Sequence, residues 1–514
     1  MTNYDIIVIG GGATGLGCAV EAASRGYKTL LLEGNDYGSG TSSKSTKLVH
    51  GGIRYLANLD IELVKEGLEE RHYFLKNAPH LAHRQSYLIP FQNRWEQIKY
   101  WLGVNLYNFL AQDKKLGRSK FFNKPETLTE APDLAADKII GGAIYYDGQF
   151  DDTRMLISLV KTLEQLSGTA LNYHEVSNFI FATDGKISGV AVVDSLNGKQ
   201  QQFYAPIIIN ASGTLCDSVL DLAEPQQKHT NVAAAQGTHL VFEREIFDSQ
   251  HAILIPATSD GRVLFILPWL DKVVVGTTDV AVDSPSLEPQ AFPSEIDFIL
   301  ETLNHYSAHP VTHQDIKAVF CGQRPLVKAE NSQSTAKISR KHEILYNQAS
   351  GLFTIVGGKW TIYRLMGEDT LNYIEKKLSL PLTESKTRDL PLAGYTTAPK
   401  PYPLKAYGSD YSAIEQIQQQ TGNFALIHPQ LPYLQAEIIY QIRHEQVKTI
   451  EDILARRTRA LYLDAQAAIE AAPLVAKIFA AEKNYSQEWQ EQQIADFTQF
   501  AQKYTAAFYN TDKT

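Results

Sequence analysis

The residues able to do chemistry begin near the N-terminus. Gly10-Gly11-Gly12-Ala13-Thr14-Gly15 fits the pattern G-x-G-x-x-G, and Glu33 follows 18 residues after Gly15. Placed between a strand and a helix, such a motif binds a dinucleotide. Gly10 permits the tight turn, Gly12 lets the backbone approach a pyrophosphate, and Gly15 lets helix and strand pack closely. The helix start at Thr14 turns N–H groups and a positive dipole end toward the phosphates, and Glu33 can accept from ribose hydroxyls. Glycine-rich turns also join ordinary strands and helices, but strand, helix and Glu33 together favour the nucleotide. Two later turns point to FAD rather than the shorter NAD. Asn210-Ala211-Ser212-Gly213 follows a strand, and Gly357-Gly358-Lys359-Trp360-Thr361 stands between a strand and a helix. A helix start with Lys359 beside it would favour the anionic, reduced flavin ring. The pair Asp151-Asp152 lacks further ligands at metal spacing and reads as a helix cap before Met155, so no metal is expected.

The elements that must position these residues follow from periodicity. Tyr4–Ile9 is a short apolar strand, Ala13–Ser24 a helix closed by Arg25-Gly26, and Thr29–Leu32 a second strand. Strand character returns in Lys186–Asp194, Gln201–Asn210, Val263–Leu267, Val273–Gly276 and Gly351–Val356. A helix is predicted from Thr361 to Lys377. Pro391–Pro403 is the clearest linker, and beyond it Leu434–His444, Ile450–Ala471 and Ser486–Ala506 read as helices. This gives a body at 1–390, a linker at 391–403 and a helical domain at 404–514. Within the body, about 1–80, 145–220 and 320–390 read as FAD-binding, and about 81–144 and 221–319 as substrate-binding. The chain has 514 residues, 44% hydrophobic and 20% charged, which suits a globular protein of two or three domains. A net charge of −9 argues against nucleic acid as a partner. Three separated cysteines offer neither a disulfide framework nor a thiolate metal site. No secretory signal and no membrane-spanning run is expected.

Longer motifs are more specific. Thr41-Ser42-Ser43-Lys44-Ser45-Thr46-Lys47 and His50-Gly51-Gly52-Ile53-Arg54-Tyr55-Leu56 resemble the signature of FAD-dependent, quinone-linked glycerol-3-phosphate dehydrogenases. The resemblance continues through Tyr145–Gln149, Asp151-Asp152, Gly237-Thr238-His239, Gly276–Asp279, Arg324-Pro325-Leu326 and Gly357–Arg364, and Ala455–Arg459 in the helical tail. It implies an α/β fold: a Rossmann-like FAD-binding domain of the D-amino-acid-oxidase/glutathione-reductase type, a sheet-based substrate domain and a C-terminal helical domain. Asn210–Leu215 departs from the family's usual Asn-x-Thr-Gly-Pro-Trp, which leaves the packing near that turn open. The implied reaction is oxidation of sn-glycerol 3-phosphate to dihydroxyacetone phosphate, with electrons passed from FAD to a membrane quinone. An oxidase that passes them to oxygen is the alternative; the family's oxidase-type insertion is missing. Arg54 and Arg324 are then the phosphate clamps, because a guanidinium fork matches phosphate, with Tyr55, Lys359 and Thr361 beside the substrate. His50 or His239 is the base, and the choice between them stays open. Ser42, Ser43, Lys47, His50, Gly51 and Gly52 are expected near pyrophosphate and flavin, and Thr361 near the pyrimidine edge.

One segment suggests how such an enzyme reaches its acceptor. Read as a helix, Arg94 to Phe122 places Trp95, Ile98, Leu102, Leu106 and Phe109 on one face, widened by Tyr100, Trp101 and Tyr107. Lys99, Lys114, Lys115, Arg118 and Lys120 supply cations for anionic lipid. The expected location is the cytoplasm, peripherally on the inner face of the cell membrane, and a homodimer is compatible with all of this.

Overall fold

The computed structural model describes residues 3–53, 56, 60–256, 258, 261–328 and 342–509. The N-terminal unit forms as the periodicity requires: β1 (Ile6–Ile9), α1 (Ala13–Ser24) and β2 (Thr29–Leu32). Each residue of β1 is buried, which suits a parallel strand covered on both faces. Ile6–Ile9 pairs in register with Thr29–Leu32 on one side and Ile207–Asn210 on the other. The sheet has six strands in the order His342–Tyr346, Phe353–Gly357, Ile207–Asn210, β1, β2, Thr169–Leu171, antiparallel only at the first pair. α1 crosses the 363–377 helix at glycines: a Cβ on Gly17 would stand 2.5 Å from Tyr363 O, and one on Gly367 2.5 Å from Gly17 O.

A three-stranded antiparallel sheet (His174–Phe181, Ile187–Asp194, Gln200–Tyr204) packs beside this unit. The larger, ten-stranded mixed sheet carries Val232–Glu243, paired with Lys272–Gly276 and with Ile316–Val327. Beyond residue 403 come the helices Tyr411–Thr421, Gln435–His444, Ala465–Lys483 and Gln487–Gln502. The α/β, D-amino-acid-oxidase-type architecture with a helical C-terminal part is what the sequence implied.

Four readings need correction. Gln201–Asn210 is two strands, Gln200–Tyr204 and Ile207–Asn210, in different sheets; Pro206, which has no N–H to give a ladder, stands between them. The helix predicted from Thr361 starts at Tyr363, after a 3-10 turn at Trp360–Ile362. Ile450–Ala471 is not one helix: a wide turn at Asp452–Arg457 and a short helix at Ala460–Leu463 precede Ala465–Lys483, which Asp464 caps. Arg94–Phe122 is helical only to Ala111, and Lys120–Asn123 is a strand. The tail also holds a small hairpin, Leu426–His428 with Leu431–Leu434, where no strand was expected.

Candidate active site

At the C-terminal ends of β1 and β2 opens a cavity of about 520 Å³. Gly10, Gly12 and Thr14 line one side, and Ala211, Ser212 and Gly213 with Gly358, Lys359 and Trp360 line others. The glycine cradle is steric. A Cβ on Gly10 would lie 2.6 Å from Ala211 O, and one on Gly15 1.9 Å from Gly10 O. Gly358 has φ +86°, and a side chain there would meet Met366. No side chain caps α1 at Gly12; its Ala13 N–H is taken at 3.0 Å by Ser42 Oγ. Glu33 accepts from Gly11 N (2.6 Å) and Asn35 N (2.9 Å), and burial raises its pKa. A dinucleotide pyrophosphate fits this cradle: the backbone can approach it, and the helix start faces it.

Other predicted cofactor residues stand behind the wall. Gly15 packs helix on strand, and Thr361 is buried. Ser43 is buried too, its carbonyl accepting from Lys47 Nζ (2.8 Å) and Arg459 Nη2 (2.7 Å). Lys47 was expected near pyrophosphate and flavin. Instead its ammonium is buried on Asp152 (2.5 Å), flanked by the rings of Trp269, Phe320 and Tyr462. Gly51 donates its N–H to Asp147 (3.1 Å); half-buried His50 and buried Gly52 flank it. Arg54 and Tyr55 lie outside the described residues. The sequence reading missed the loop that closes the cavity, Gly34, Asn35, Gly38, Ser39, Gly40 and Thr41. Its run of small residues directly after Glu33 was a signal for it. Asp151 caps the 152–165 helix, as predicted, accepting from Arg154 N at 3.1 Å.

Strand pairing brings the substrate-side candidates together. Ile316–Val327 sets Arg324 opposite Ala235, and Lys272–Gly276 sets Gly276 opposite His239. Arg324 lies along the strand toward His239, so that a Cβ on Gly237 would stand 2.5 Å from its Nη2. Its fork is pinned by Thr277 Oγ1 (3.1 Å), Thr278 O (3.2 Å) and Asp279 Oδ1 (3.3 Å). The next residue, Pro325, lines the cofactor cavity with Lys359. His239 is buried, stacks on Phe320 at 4.7 Å, and shares a hydrogen bond between Nε2 and Thr46 Oγ1 (3.0 Å). Its Nδ1 has no hydrogen-bond partner among the described residues. Burial, then the cations Lys47 and Arg324, hold its pKa well below the usual histidine value. The imidazole is therefore neutral at physiological pH and able to take a proton.

The chain matches the family model described as FAD dependent oxidoreductase over residues 5–364, and the C-terminal domain of alpha-glycerophosphate oxidase over 355–490. It is 36% identical to a probable mitochondrial glycerol-3-phosphate dehydrogenase of Dictyostelium discoideum, over 98% of this chain and 85% of that protein. With the mitochondrial glycerol-3-phosphate dehydrogenase of Homo sapiens it shares 37% identity, over 97% of this chain and 73% of the human one. Among solved structures it superposes on the FAD complex of a glycerol-3-phosphate dehydrogenase from Bacillus halodurans with TM-score 0.78 at 26% identity, covering 98% and 95% of the two chains. An L-alpha-glycerophosphate oxidase from Mycoplasma pneumoniae shares the fold, with TM-score 0.58 at 18% identity, covering 75% and 97%.

Proposed function

From its membership of the FAD-dependent oxidoreductases, and within them of the glycerol-3-phosphate dehydrogenases, we propose that this chain oxidises sn-glycerol 3-phosphate at C2 to dihydroxyacetone phosphate and passes the electrons to a membrane quinone. What supports the reaction is that Arg324 adjoins Pro325 on the wall of the cavity that Lys359 lines, with neutral His239 four residues beyond Ala235, the strand partner of Arg324. Bound FAD supplies the hydride acceptor. Arg324, fixed by Thr277 and Asp279, presents a planar cation to the substrate phosphate. Arg54, Tyr55 and Lys359 complete the substrate side in this reading; Thr361, buried behind the cavity wall, is not part of it. His239 takes the proton of the C2 hydroxyl, and Thr46 fixes the ring's orientation. His50 is the second candidate for that proton.

Support for the quinone and the membrane comes from the 94–111 helix. Val104, Tyr107 and Ala111 face the core, and the opposite face is apolar and open to solvent: Trp95 is 82% exposed, Phe109 74% and Leu102 57%, with Ile98, Trp101 and Leu106 between them. An unpaired stripe of this kind, flanked by Lys99, Lys115 and Arg118, suits a lipid surface. Among the described residues no helix is long and apolar enough to cross a membrane, so the contact we propose is peripheral, at the inner face of the cell membrane. Glycerol 3-phosphate should bleach the flavin absorbance anaerobically. A quinone should then restore it quickly and air slowly. Peroxide formed as fast as quinol would instead make the protein an oxidase.

A further inference from the structure

A second cavity, of about 430 Å³, opens between the ten-stranded sheet and the start of the C-terminal part. Its walls bring together Phe150, Trp269 and Tyr402 with His80 and Lys405. None of these belongs to the glycerol 3-phosphate site. The cavity lies close to the cofactor all the same. Phe150, on its wall, meets Trp360, on the wall of the cofactor cavity, with ring centroids 5.1 Å apart.

The polar lining selects the ligand. His80 is 2% exposed, and its Nδ1 has no hydrogen-bond partner among the described residues. Among the described residues the Lys405 ammonium makes no ion pair or hydrogen bond, and burial lowers its pKa. An unspent ammonium in an apolar cavity calls for a ligand with an acceptor. Net charge argues against a phosphate. Burial keeps His80 neutral, with its pKa lowered to about 4. Arg244 is spent on Ser249 O and on Asp248, and the carboxyl of Asp151 stands in the same wall. That leaves Lys405 as the single uncompensated cation. An uncharged, planar molecule with carbonyl oxygens matches aromatic walls and sparse donors better than a dianion does.

We propose that this second cavity binds the ring of the quinone acceptor, with Trp269, Tyr402 and Phe150 along its plane and Lys405 donating to a carbonyl. The inference rests on the quinone-linked reading above. The reaction balances without a further reagent. The secondary alcohol at C2 loses two electrons and two protons to become the ketone, and the quinone gains two electrons and two protons to become the quinol. Lys405 is placed to give one of those protons and to recover it from solvent.

The test uses FAD-loaded enzyme with menadione as the quinone and a phenazine dye as a second acceptor. Binding is read on the unreduced enzyme from quenching of tryptophan fluorescence, and turnover from menadione reduction. Ala406→Phe narrows the cavity and Lys405→Met removes the cation. Both should raise the KM for menadione at least tenfold, and Ala406→Phe should abolish the quenching. FAD content and dye turnover should match wild type. Unchanged menadione KM and quenching in both variants overturn the assignment, as does protection of the cavity by inorganic phosphate. If wild-type enzyme reduces the dye but never menadione, the quinone reading itself fails, and that outcome is distinct.

Discussion

At the scale of the residue, the clamp and the base each give a measurable outcome. Arg324→Leu removes a guanidinium that three groups hold in place. Each charge-assisted hydrogen bond to phosphate is worth about 1.5–3 kcal/mol, so the KM for glycerol 3-phosphate should rise roughly tenfold to a hundredfold. The FAD content of the purified variant should be unchanged; an unchanged KM removes Arg324 from the clamp. The environment of His239 sets the acid limb. Because burial, Lys47 and Arg324 lower its pKa, the ring stays unprotonated as pH falls through the ordinary histidine value of about 6.5. kcat/KM should therefore hold from pH 7 down past 6.5 and fall only well below it. A limb at about 6.5 would transfer the role to His50.

At the scale of the element, the 94–111 helix has two faces that a variant can separate. Changing Trp95, Ile98, Trp101 and Leu102 to Ser or Gln alters only exposed side chains. The variant should leave anionic vesicles while keeping its melting temperature and its rate with a soluble dye. Loss of FAD or a lowered melting temperature would mean that the face packs on protein. Tyr107 behaves oppositely. Its hydroxyl donates to Asp147 Oδ2 at 2.8 Å, and Arg71 donates to the other oxygen at 2.8 Å. Tyr107→Phe leaves a buried carboxylate short of a donor, costing about 1–3 kcal/mol, and should lower the melting temperature without affecting vesicle binding. The expectation that Tyr107 belongs to the lipid face is thus corrected: its ring is 2% exposed.

At the scale of the whole molecule, the helical tail does not hang from its linker. Arg457 makes a bidentate pair with Asp36 (2.5 and 2.8 Å), and Arg456 adds a contact at 2.6 Å. Asp36 lies in the loop that closes the cofactor cavity. Arg154 pairs with Glu445, and Arg459 reaches Ser43 O and Asp152. Removing one member of a buried pair costs about 3–5 kcal/mol. Arg457→Met should therefore lower the melting temperature and speed FAD release from the folded enzyme; unaltered release would detach the tail from the cofactor loop. The pH dependence follows from Asp36. Burial would raise its pKa, but Arg457 and Arg456 outweigh burial and hold it well below the usual carboxylate range. Its stabilisation is present above the unfolded value of about 3.9 and fades as pH falls toward the folded one. This pair should cost no stability between about pH 7 and pH 5.

The sequence by itself determined what local sterics and periodicity can fix. The β1–α1–β2 unit was legible because a buried parallel strand, a glycine turn and a helix start leave their marks on adjacent residues. The cap at Asp151 was legible for the same reason. Tertiary structure decided which side of each element faces what. Lys47 reads from its motif as lying near the pyrophosphate and flavin, yet its ammonium is buried on Asp152 with Trp269 and Phe320 of the body and Tyr462 of the tail around it. Gln201–Asn210 reads as one strand, yet its halves serve different sheets. The apolar stripe of residues 95–109 reads as core or as lipid face with equal force. Only the position of Val104, Tyr107 and Ala111 against the body settles which face packs, because periodicity gives a face but not the neighbour that covers it.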